Sequence, residues 1–143
     1  MAEFEGNGKI TMVGSGESDK IENWKGVKYF SPGEFDSPDE PGSGKKMNLA
    51  FIEKLDAIRK ECGFPFAVNS GYRSIAHNAL VGGRGESSHT EGLAADIHIK
   101  TSSELFKVLE AAIKSGVKRI GIGKTFVHLD LSPTLPNQVI WLY

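Results

Sequence analysis

The stretch SSHTEGLAADIHI, Ser87 to Ile99, sets a histidine and a carboxylate seven residues apart, with a glycine and two alanines between them. Its second half, LAADIHI (93–99), alternates as a strand does, and the two-residue repeat puts Asp96 and His98 on one face. His89 stands in the loop that leads in, and small residues at 92, 94 and 95 let the chain turn and pack close to an ion. FVHLDL (126–131) repeats the theme, with His128 and Asp130 on one face of a second strand. A His and an Asp in a single strand are more often exposed polar residues than ligands. Two such segments in one chain shift the balance. Imidazole and carboxylate suit zinc, which takes about four tetrahedral ligands and keeps one position open when catalytic. His89, Asp96 and His128 can form such a set.

Around this stretch the chain reads as α+β. Apolar residues at 47, 51, 55, 58 and 62, with Ile52 beside them, trace one helical face, and Gly63 and Pro65 end it. FAVN (66–69) reads as a short buried strand and SIAHNAL (74–80) as a short helix. Ser102 or Ser103 can cap a helix whose stripe is Leu105, Val108, Leu109, Ala112 and Ile113, with Gly116 as its stop. RIGIG, FVHLDL and VIWLY give three short strands, close enough to pair antiparallel. The expectation is a single domain of three helices and about five strands over residues 21–143, a small, mainly antiparallel sheet flanked by helices. Residues 1–20, polar and glycine-rich, read as a loosely held arm.

Composition narrows the function. A chain of 143 residues is one ordinary domain, and a net charge of -1 gives no general attraction to nucleic acid. The first 20 residues hold no apolar run long enough for a signal peptide or membrane span, so the chain is expected to be cytoplasmic as synthesised, without membrane insertion. The single cysteine, Cys62, forms no intramolecular disulfide and reads as a small core residue. GIGKT (121–125) is no phosphate loop, because Lys118 stands where the first glycine is required. GGRG (82–85) reads as a flexible loop, and Ser87 and Ser88 have no nucleophile elbow around them.

SSHTEGLAAD matches in full the pattern Ser-x-His-x-x-Gly-x-Ala-x-Asp, and so resembles the zinc D-alanyl-D-alanine carboxypeptidases. That group includes vancomycin-resistance dipeptidases and phage endolysins, and hedgehog signalling domains share its fold. NSGYRSIAHN (69–78) looks like the segment carrying the family's substrate-facing arginine, and GIGKTFVHLDL (121–131) like its second metal segment. The resemblance covers about residues 29–143. It implies a hedgehog/D-Ala-D-Ala peptidase-like fold with one zinc ion on His89, Asp96 and His128. It also implies Arg73 as a catalytic and substrate-binding residue, Ser87 at the substrate cleft, and peptidoglycan stem peptides as partners; His98, which shares a face with Asp96, can line the cleft or replace a ligand, and is expected as a substrate-binding residue at the cleft edge. The protein is expected to be a monomer that acts at the bacterial cell wall after release.

One position departs from the pattern. Several branches carry a catalytic carboxylate three residues before the last histidine, where this chain has Thr125. Asp130 is the nearest carboxylate. Two residues along a strand it stands roughly 7 Å away, which suits either a base that takes the proton of the attacking water or a group that orients His128. The base role is the expectation. The alternative for the whole chain is a non-catalytic, zinc-stabilised binding or structural domain of a phage particle, since the fold does not dictate peptidase work.

Overall fold

The computed structural model describes residues 24–82 and 87–143. The expected N-terminal arm, and residues 83–86 of the glycine-rich loop, lie outside the described residues. Helix α1 runs Leu49–Cys62; the Asn48 side chain caps it by accepting from Phe51 N, and Gly63, at φ 77°, closes it in the left-handed region. The helix buries Phe51, Ile52, Leu55, Ile58 and Cys62, the face its periodicity predicts. Helix α2, Ile75–Leu80, follows strand β1 (Val68–Ser70), with the Ser74 side chain as its cap. After strand β2 (Ala94–His98) comes helix α3, Ser102–Lys114.

Two local expectations for α3 change. Thr101, not Ser102 or Ser103, is the cap: its extended backbone lets its hydroxyl accept from Glu104 N, while both serines are already helical. The buried stripe centres on Val108, Ala111 and Ala112, and Ile113 at 56% exposure turns outward.

Strands β3 (Arg119–Ile122), β4 (Phe126–Asp130) and β5 (Val139–Leu142) complete a five-stranded sheet in the order β1-β2-β4-β3-β5. β2 pairs antiparallel with β1 and β4, and β4 antiparallel with β3. β5 pairs parallel with β3, contrary to the antiparallel expectation, because residues 131–138 cross to the far side of β3 at the end where β4 finishes, so that Val139 starts level with Asp130 beside Arg119. The strand expected at 66–69 is displaced to an edge position at 68–70, with only partial burial; Phe66, just before it, enters the core instead.

The pleat divides the sheet chemically. Ala95, Ile97, Ile120, Val127 and Leu129 face the same core cluster as the buried side chains of α1 and α3. The alternate residues form the other face. There the register aligns Ser70, Asp96, His128, Gly121 and Trp141 in one row across all five strands.

Candidate metal centre

His89 is delivered by a tight turn. Residues Ser88–Glu91 form a 3₁₀ turn whose first amides are capped by the Ser87 hydroxyl, which accepts from His89 N at 3.2 Å. Gly92 ends the turn at φ 72°, a conformation that suits a residue without Cβ. A Cβ there would also lie 2.8 Å from Lys46 O and 2.9 Å from Met47 Cα, while the Gly92 carbonyl accepts from Asn48 N. The glycine therefore locks the histidine turn against the start of α1.

The His89 ring is oriented by its Nδ1–H, which donates to Gly71 O at 2.8 Å and leaves Nε2 toward Asp96 Oδ1 at 3.4 Å. On the neighbouring strand His128 Nδ1 lies 2.8 Å from the same oxygen. The three side chains are buried, and one donor atom from each lies within 4.8 Å of the others. Ligand atoms about 2 Å from a tetrahedral zinc sit about 3.3 Å apart, so this donor set fits such an ion. The three side chains line a cleft of about 740 Å³, large enough for a short peptide.

The peptidase M15 family model matches residues 28–130. The chain belongs to this family. Its members are zinc D-alanyl-D-alanine carboxypeptidase-like peptidases, and the buried His-Asp-His cluster is compatible with their metal site. A search of curated proteins finds no match.

The electrostatics agree with a site built for a cation. Burial alone would raise the Asp96 carboxyl, but hydrogen bonds from His128 and His89 outweigh it and hold the group below the usual carboxylate range. Burial would lower His128, yet its hydrogen bonds to Asp130 and Asp96 raise it. Asp130 is likewise depressed against its burial, by the His128 hydrogen bond, the Ser132 amide and the charges of His128 and Arg119.

Asp130 does not stand as a free carboxylate facing the cleft. It is 1% exposed, and both oxygens are engaged. Oδ2 accepts from His128 Nε2 at 2.6 Å and from the Ser88 hydroxyl at 3.0 Å. Oδ1 accepts from Arg119 Nε at 2.7 Å and from Ser132 N at 3.0 Å. Each oxygen therefore accepts from two donors.

Arg73 lines the cleft. Its Nε donates to the Ser70 hydroxyl, Nη1 to Asn78 Oδ1, and Nη2 lies 3.8 Å from Asp96 Oδ2. Ser87 also lines the cleft, but its hydroxyl caps the His89 turn. His98 is not part of the cleft lining. It borders a separate, smaller hollow with Phe64, Phe66, Lys100 and Glu104.

Sequence reasoning passed over Arg119, Trp141 and Tyr143, which line the cleft beside the ligands. A signal was present: in RIGI and VIWL, alternation puts Arg119 with Gly121, and Val139 with Trp141, on the faces that meet the ligand row.

Proposed function

We propose that the protein is a zinc peptidase that hydrolyses a peptidoglycan stem-peptide bond beside a D-residue, as a carboxypeptidase or endolysin. The observation that carries the reading is the His89–Asp96–His128 cluster opening into a cleft with the Arg73 guanidinium beside it. His89 Nε2, Asp96 Oδ1 and His128 Nδ1 would hold the ion. Zinc bound there supplies a Lewis acid that polarises a carbonyl and makes water a better nucleophile at neutral pH.

The remaining work falls to the protein's own groups. Gly71 O and Asp130 fix the two imidazoles, each through the ring nitrogen that faces away from Asp96 Oδ1. Asp130 is thus a positioning residue, held ionised by Arg119 and the Ser132 amide. Arg73, braced by Ser70 and Asn78, presents a planar fork that holds the substrate's terminal carboxylate or the oxygen that gains charge. The protein acts as a monomer at the cell wall after release from the cytoplasm.

One observation favours a second reading. Among the described cleft residues both carboxylates, Asp96 and Asp130, are engaged by neighbours, which leaves no free one to take a proton. A non-catalytic, zinc-stabilised domain of a phage particle would have the same appearance. Incubating zinc-loaded protein with purified stem peptides, followed by mass analysis, separates the two. Zinc-dependent release of a defined fragment is expected; intact peptides and uncleared wall material would establish the non-catalytic reading.

A further inference from the structure

The row Ser70–Asp96–His128–Gly121–Trp141 gives the cleft unlike ends. Arg73 hydrogen-bonds to Ser70 at one end, the ligands occupy the middle, and aromatic rings occupy the other. Gly121 is the gap between the ligands and the rings. A Cβ on it would lie 2.7 Å from Trp141 Cε2 and Nε1 and 2.7 Å from Tyr143 Cε2. The indole therefore lies over the bare backbone of β3, in a seat that only a glycine leaves open.

The Trp141 ring is pinned in that seat. The Arg119 guanidinium sits 5.0 Å from its centre, and the His128 ring 5.4 Å away. Arg119 is itself committed to Asp130 Oδ1 and the Pro136 carbonyl. Tyr143 extends the wall, 4.9 Å from Phe126 and 6.3 Å from Trp141 between ring centres, and is 68% exposed. These rings form a partly exposed aromatic wall of the peptide-sized cleft.

Resting on the peptidase reading, we propose that Trp141 and Tyr143, seated over Gly121, form the subsite for the substrate residue on the acyl side of the scissile bond. The subsite takes an uncharged aliphatic side chain. The spacing supports it: the indole lies over Gly121 on β3, one interstrand step of about 4.8 Å from His128 on β4, and one extended residue covers about 3.5 Å. A peptide whose scissile carbonyl lies at the ligands, with its terminal carboxylate at Arg73, brings its preceding side chain over Gly121 and onto the indole. The Arg119 guanidinium behind the ring disfavours a cationic side chain, and the apolar rings offer an anionic one no partner.

The test uses N-acetylated dipeptides ending in D-alanine, with glycine, alanine, leucine or glutamate as the acyl-side residue. Their Kd for zinc-free protein is measured by NMR titration, so that binding is read without turnover. The leucine peptide is expected to bind wild type about tenfold more tightly than the glycine peptide, as partial burial of its methyl and methylene groups implies. Trp141→Ala should reduce that ratio to within about twofold, and Gly121→Ala, by dislodging the indole, should do the same. Trp141→Phe, which keeps an aromatic ring, should retain most of the preference. A leucine preference that survives in Trp141→Ala, or is missing from wild type, overturns the subsite. Stem-peptide hydrolysis by zinc-loaded wild type without any acyl-side preference overturns the subsite alone. Absence of both hydrolysis and peptide binding overturns the peptidase reading and the subsite with it.

Discussion

Asp130 Oδ2 lies 2.6 Å from His128 Nε2, while Nδ1 of the same ring, 2.8 Å from Asp96, faces the donor cluster. This geometry predicts the behaviour of Asp130→Asn. The amide can still accept from His128, but its NH₂ then meets the Arg119 or Ser132 donors. Zinc affinity should fall about ten- to a hundredfold, and saturating zinc should restore much of the turnover. Unchanged zinc affinity combined with a hundredfold fall in kcat would instead make Asp130 the base. Zinc affinity and kcat measured on one preparation distinguish the two.

His89→Ala, Asp96→Ala and His128→Ala should each take zinc content well below one ion per chain. Each removes one of three converging donor atoms, and two ligands hold zinc poorly. Elemental analysis of the purified variants reads this directly, and stoichiometric zinc in all three would place the ion elsewhere.

Arg73→Lys keeps the charge but loses the fork that reaches Ser70, Asn78 and Asp96 together. Turnover of stem peptides should fall by about tenfold or more, with zinc content unchanged. Wild-type kinetics in this variant would reduce Arg73 to a structural brace.

Removing the metal should make stability depend on pH in a defined sense. The His128 value is raised above 6.5 in the fold, so its contribution is complete below about pH 6.5 and is lost as pH rises through the raised value. Asp96 and Asp130 are depressed below 3.8, so theirs is present above about pH 4 and is lost on acidification. Chelator-treated protein should therefore be most stable between about pH 4 and 6.5, as read from denaturant midpoints. With zinc the optimum should move upward, because the metal competes with the proton on His128.

Gly92→Ala tests the turn rather than the chemistry. It places a Cβ at φ 72°, 2.8 Å from a backbone oxygen that cannot easily move. A loss of about 1–3 kcal/mol is expected from the backbone conformation alone, with a larger loss if the start of α1 must shift. An unchanged midpoint in urea would contradict the contact.

The helices were legible in the sequence because each depends on local spacing, and the His89, Asp96 and His128 cluster because its residues fall in two short motifs. Periodicity gave the α1 face, and the glycine of SSHTEGLAAD marked a turn that does require φ above zero. What spacing leaves open is where side chains go once the sheet twists. Asp130 and His128 are two residues apart on one strand face, yet their side chains converge to 2.6 Å, because Arg119 from β3 and Ser88 from the His89 turn hold the carboxylate in place. His98 shares a face with Asp96 but lies one pleat further along, bordering another hollow. The parallel pairing of β5 depends on the path of residues 131–138, which carries no periodic signal.

The position of β5 at the edge of the sheet has a mechanical consequence. The family match ends at residue 130, so His89, Asp96, His128 and Asp130 fall inside it, whereas Trp141 and Tyr143 fall outside. They ride on an edge strand attached to the sheet through β3 alone. A substitution on this ribbon therefore alters the aromatic wall of the cleft directly, and reaches the His-Asp-His cluster only through the contacts of Trp141 with His128 and Arg119. Loosening that one edge pairing would strip the wall from the cleft and leave the strands that carry the cluster still paired with each other.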